Sequence, residues 1–90
     1  MCRLETFHTF GRMANEPALR VADRIVAMAG IDGARVMLTS GGSDSVDLAC
    51  KLARRHWQLE GRGAKKIILS RHGAYHGLHA FGTSITGLPY

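Results

Sequence analysis

Between Asp44 and Glu60 apolar residues recur on two stripes of a helix, and this restricts the folds open to the chain. Val46, Ala49, Ala53 and Trp57 form one stripe, while Leu48, Leu52 and Leu59 fall outside it. A helix apolar on one side lies against a core; a helix apolar on two sides packs between layers. A chain of 90 residues hardly supplies both layers, since a domain this small buries only about 60–65% of its unfolded surface. The pattern therefore reads as a piece of something larger, cut at both ends.

Short apolar runs flank this helix. Ala34–Thr39 and Lys66–Ser70 have the composition of buried strands, bounded by Asp32-Gly33 and Gly61-Arg62-Gly63 on their N-terminal sides. Strand, helix, strand implies a parallel βαβ unit with a right-handed crossover, hence an α/β fold. Two parallel strands do not make a stable sheet, so both edges expect neighbours. Upstream, Asn15 suits a helix N-cap, Glu16 and Pro17 a first turn, and Gly30 a stop. Leu19, Ala22, Ile25, Val26 and Ala29 recur at helical steps between them, predicting an amphipathic helix over Glu16–Ala29. Residues 1–15 show no clean period and read as irregular.

Composition narrows the setting. Hydrophobic residues make up 46% and eleven residues are glycine, as in globular rather than disordered chains. No run approaches the roughly 20 apolar residues that span a bilayer, and the N-terminus lacks the apolar core of a signal peptide. A cytoplasmic location is expected, and Cys2 and Cys50 read as ordinary thiols. The net charge of +5 is spread over residues such as Arg20, Arg24, Lys51, Arg54, Lys65 and Arg71 without aromatic interleaving. Solvated faces and partner surfaces explain it better than nucleic acid.

The chemistry is expected in the loop Ser40-Gly41-Gly42-Ser43, which joins the first strand-like run to the second helix. Glycines let the backbone approach a ligand, and the free N–H groups of a helix start make a phosphate seat. The plainer alternative is a tight turn in which Ser43 caps its own helix. On this feature alone the two are evenly matched, and Asp44 and Asp47 count mildly against an anion unless turned away from it.

Two families resemble this chain. The ATP pyrophosphatases carry an S-G-G-x-D-S loop, matched by Ser40-Gly41-Gly42-Ser43-Asp44-Ser45; that resemblance implies an adenylating enzyme but covers six residues. The other resemblance, to pyridoxal-phosphate-dependent aminotransferases of class III and fold type I, runs across nearly the whole chain. Gly41-Gly42-Ser43-Asp44-Ser45 is similar to the family's S-G-S-E-A loop, and Ala49-Cys50-Lys51-Leu52-Ala53-Arg54 to its A-x-K-x-A-R helix. Tyr75-His76-Gly77 stands where the family has a Tyr-His-Gly triplet, followed by the similar stretch Gly82–Tyr90. Phe7-His8-Thr9-Phe10 and the first helix resemble the approach to the cofactor domain. Several ordered motifs outweigh one hexapeptide. A third, non-enzymatic reading is a basic α/β module that binds a phosphorylated or nucleic-acid partner.

The aminotransferase resemblance implies a piece of the large domain, residues 1–90, in a three-layer α/β/α fold with a mostly parallel sheet. It implies pyridoxal 5'-phosphate held at Gly42 and Ser43 by backbone N–H groups, Tyr75 against its ring, and His76 and Gly77 shaping that turn. Gly41 departs from the usual serine, so a side-chain contact there is lost. An amino donor, a keto acid or aldehyde acceptor and a homodimer are implied as partners. His72, His76 and His79 have helical spacing, but Gly73 and Gly77 argue against a helix there, so no metal site is expected. Neither Lys51 nor Lys66 matches the lysine that links covalently to the cofactor, so no catalytic residue of the family falls in this segment.

Overall fold

The computed structural model describes residues 14–89. The chain divides between Leu38 and Thr39 into two compact units. The first holds α1, Glu16–Ala29, bounded as its sequence requires. Asn15 is extended and its side-chain oxygen accepts from the Ala18 N–H at 2.9 Å, while Gly30 closes the helix at φ 62°. That left-handed closure is open to glycine at little cost and strained for most other residues.

The second unit holds α2, Gly42–Leu59, and α3, Ala80–Ile85. Gly41 is the extended N-cap of α2, so the helix starts two residues before the expected Asp44. Its far end closes with two backbone bonds, Arg62 N–H to the Trp57 carbonyl at 2.8 Å and Gly61 N–H to that of Gln58 at 3.2 Å. Both bonds belong to a Schellman motif, with Gly61 at φ 69° as its left-handed residue. Lys65 Nζ lies 3.8 Å from the centre of the Trp57 ring, a cation–π contact that covers one face of the indole. The short α3 packs on α2 and had no counterpart among the sequence expectations.

The expected strands are the main correction. Among the described residues no strand forms: Ala34–Thr39 and Lys66–Ser70 are neither helix nor ladder. The physical reason is the one that makes edges sticky. A strand is stabilised by a neighbour's N–H and C=O groups, and a buried-type sequence cannot supply these to itself. The stretch Phe7–Phe10 and residues 1–13 generally lie outside the described residues.

Burial is correspondingly thin. Cys50, 8% exposed, is the one buried apolar side chain besides glycine among the described residues, whereas Ile67 is 83%, Leu69 90% and Met28 86% exposed. On α2, Leu52 and Leu59 stand exposed while Val46, Leu48 and Trp57 are half-covered, so each of its two apolar stripes is only partly covered. Apolar patches beyond a few hundred Å² recruit partners. The 90-residue chain alone is accordingly expected to associate or stay molten, measured by sedimentation and amide exchange. A monodisperse monomer with strong protection across Ala34–Thr39 and Lys66–Ser70 would contradict this.

Candidate functional site

The start of α2 is a helix end with unspent donors. The first N–H bonded along the helix is that of Ser45, to the Gly41 carbonyl at 3.0 Å. No side chain caps the end, which leaves the N–H groups of Gly42, Ser43 and Asp44 without an acceptor among the described residues. Such groups, with the positive end of the helix dipole behind them, hold an anion well. The plainer reading, in which Ser43 caps α2, does not apply. Ser43 lies inside the first turn, and its hydroxyl accepts from the Leu78 N–H at 3.3 Å.

The two acidic residues nearby are engaged elsewhere. Asp44 meets His79 Nδ1 at 3.2 Å and also accepts from the Ser40 hydroxyl. Asp47 accepts from the Gly82 N–H at 2.9 Å. The Asp44–His79 pair is about half exposed, which limits it to about 0–1 kcal/mol. The Asp47 bond is part-buried and charge-assisted, in the class of about 1.5–3 kcal/mol.

Opposite the helix start lies the turn Tyr75-His76-Gly77. Gly77 has φ 110°, and a Cβ there would sit 2.7 Å from Ser43 Oγ and 2.9 Å from Ser43 Cα. Only glycine allows the turn to lie this close to the helix end. Between the two is a cleft of about 310 Å³ lined by Gly42, Ser43, Val46, Tyr75, His76 and Gly77. Thus the four residues singled out as cofactor-binding, Gly42, Ser43, Tyr75 and His76, border one cavity, with Gly77 as its floor and Val46 as an apolar wall. Sequence reasoning gave Val46 no role beyond the helix core. Its signal was available: it follows Gly42 by one helical turn and so shares its face.

One further observation bears on what the cleft accepts. His76 Nε2 is buried and finds no hydrogen-bond partner among the described residues. A buried polar atom without a partner is uncommon and calls for one. His76 borders the cleft, and Tyr75 beside it presents 58% of its surface, an arrangement that suits a planar ligand bearing both a ring and an anionic group.

The family model for class III aminotransferases, "Aminotransferase class-III", matches residues 3–89. The chain belongs to that family. A Mycobacterium tuberculosis protein named as a probable aminotransferase is 41% identical over 76 residues, covering 84% of this chain and 16% of its own length. An acetylornithine/succinyldiaminopimelate aminotransferase of Yersinia pestis is 37% identical over 84 residues, covering 92% of this chain and 20% of its own. Among solved structures, the PLP-bound crystal structure of an amine transaminase from an uncultivated Pseudomonas species superposes with TM-score 0.80 and 37% identity. It covers 96% of this chain and 20% of that one. The chain spans about a fifth of the length of the relatives it matches. A class III match running from residue 3 to 89 sets aside the six-residue ATP pyrophosphatase resemblance. No helix among the described residues is long and apolar enough to cross a membrane.

Proposed function

We propose that this chain is part of the large domain of a pyridoxal-phosphate-dependent aminotransferase. The whole enzyme moves an amino group from an amino acid or amine to a keto acid or aldehyde. The observation that carries this reading is the single cleft joining an uncapped helix start to Tyr75 and His76. Its residues fit the cofactor: backbone donors for the phosphate, an aromatic face for the ring, and an unpartnered imidazole nitrogen for a polar atom.

When bound, pyridoxal phosphate supplies the electron sink that eases bond breaking at the donor's amino carbon. The chain's own contribution is binding and orientation. The N–H groups of Gly42 and Ser43 hold the phosphate, and the dipole of α2 favours its charge. Tyr75, on the cleft wall, would lie against the ring and orient it. Val46, His76 and Gly77 would line the cleft around it. In the whole protein Ala34–Thr39 and Lys66–Ser70 become strands of a mostly parallel sheet, inside the three-layer α/β/α domain of fold type I. A cytoplasmic homodimer completes the reading, and the exposed Leu52 and Leu59 of α2 support further protein around this segment.

The test is amino transfer. Full-length enzyme with pyridoxal phosphate is expected to turn over, while the 90-residue chain does no more than free cofactor. Neither Lys51 nor Lys66 borders the cleft, in keeping with this. Turnover by the short chain well above free cofactor, abolished by replacing either lysine, would overturn the reading.

A further inference from the structure

We infer that Asp47, which does not border the cleft, is a positioning residue for its far wall; the inference rests on the cofactor reading above. A continuous path of contacts leads from its carboxylate to His76. Asp47 Oδ1 accepts from the Gly82 N–H at 2.9 Å, in the first turn of α3. No side chain of α3 caps that turn, so a residue 35 positions away supplies the acceptor. The carbonyl of the same Gly82 accepts from the Thr86 hydroxyl at 2.7 Å, and that oxygen in turn accepts from the His76 N–H at 3.2 Å. Gly82 also presses on the wall directly. A Cβ on it would lie 2.8 Å from the His76 carbonyl oxygen and 3.1 Å from the Gly77 carbonyl carbon.

The backbone of Gly82 is thus held on both sides of its α-carbon, its N–H by Asp47 and its carbonyl by Thr86, while the α-carbon itself lies against His76-Gly77. A carboxylate on α2 thereby ties the helix that bears the phosphate donors to the turn that bears the ring and imidazole. Loss of the carboxylate frees α3 and lets the wall drift, leaving the donors of Gly42 and Ser43 untouched.

The test uses the full-length holoenzyme and five proteins: wild type, Asp47→Ala, Asp47→Asn, Thr86→Val and the Asp47→Ala/Thr86→Val double variant. Asp47→Ala is expected to weaken pyridoxal phosphate binding about tenfold and to change the visible circular dichroism of the bound cofactor. Affinity for inorganic phosphate, which reads the helix start alone, stays at the wild-type value. Thr86→Val acts in the same direction, and because both residues hold the backbone of the same residue, Gly82, the double variant loses no more than about the larger single loss. Asp47→Asn keeps an acceptor oxygen and restores most of the affinity and the dichroism. Wild-type affinity and dichroism in Asp47→Ala, or losses that multiply in the double variant, would overturn the inference while leaving the cofactor assignment standing. Failure of the wild type to bind pyridoxal phosphate would instead remove the cofactor reading itself.

Discussion

Replacing Gly42 with aspartate is expected to weaken pyridoxal phosphate binding by the full-length enzyme on the order of 10²-fold. Sterics are not the cause, because a Cβ at Gly42 meets nothing within 4 Å. Nor is the helix harmed: a carboxylate in its first turn interacts favourably with the dipole, by about 0.3–1 kcal/mol. The loss comes from setting a negative group where the phosphate belongs. At about 4 Å and an effective dielectric near 20, two unit charges repel by about 4 kcal/mol, which solvent and relaxation reduce to about 2.7 kcal/mol, equivalent to about 10²-fold in affinity. The substitution therefore separates stability from binding, with the melting temperature held or raised while affinity falls. Gly42→Ala, neutral and unobstructed, is the control and should bind within a few-fold of wild type. An aspartate variant with undiminished cofactor absorbance and affinity would count against phosphate at this position.

The second large effect is expected at Gly77. Alanine there faces two separate penalties. At φ 110° the backbone disfavours any side chain, and the new methyl would overlap Ser43 at 2.7 Å from Oγ and 2.9 Å from Cα. The first is a backbone strain of about 1–3 kcal/mol. The second is an overpacking of about 1–3 kcal/mol, and because one of the atoms struck is backbone it cannot swing aside. The two together amount to about 2–6 kcal/mol, enough to prise the Tyr75-His76 turn from the helix end. Thermal unfolding and cofactor titration of the full-length variant measure this. The melting temperature and affinity should fall together, in contrast to Gly42→Asp. Wild-type values for both would mean that the close approach of Gly77 to Ser43 is not what builds the cleft.

What could be read in the sequence was local. The ends of α1 follow from Asn15 and Gly30, each acting on its own helix, and both lie where the pattern put them. The extent of α2 was legible to within two residues, because Gly41 and Gly61 punctuate it. The site residues stood in two short motifs, Gly42-Ser43 and Tyr75-His76, although nothing in either motif says that they share a cavity. That depends on contacts 35 residues apart, Ser43 to Leu78 and Asp47 to Gly82, which no periodicity records. The helix α3 was illegible for a related reason. Gly82, Thr83 and Ile85 are weak helix formers, and the turn is held by Asp47 and Thr86 instead of by propensity. The strand-like runs reveal a limit of a different kind. The apolar runs and β-branched residues in Ala34–Thr39 and Lys66–Ser70 record what surrounds a strand, and a ladder needs that surrounding chain to form.

The most direct test of the phosphate seat is a crystal structure of the full-length enzyme with pyridoxal phosphate bound. The expected result is phosphate oxygens within about 2.7–3.2 Å of the backbone nitrogens of Gly42 and Ser43, with the Tyr75 ring against the pyridine. A phosphate bound elsewhere, with those two N–H groups capped by a side chain or turned to solvent, would contradict the account.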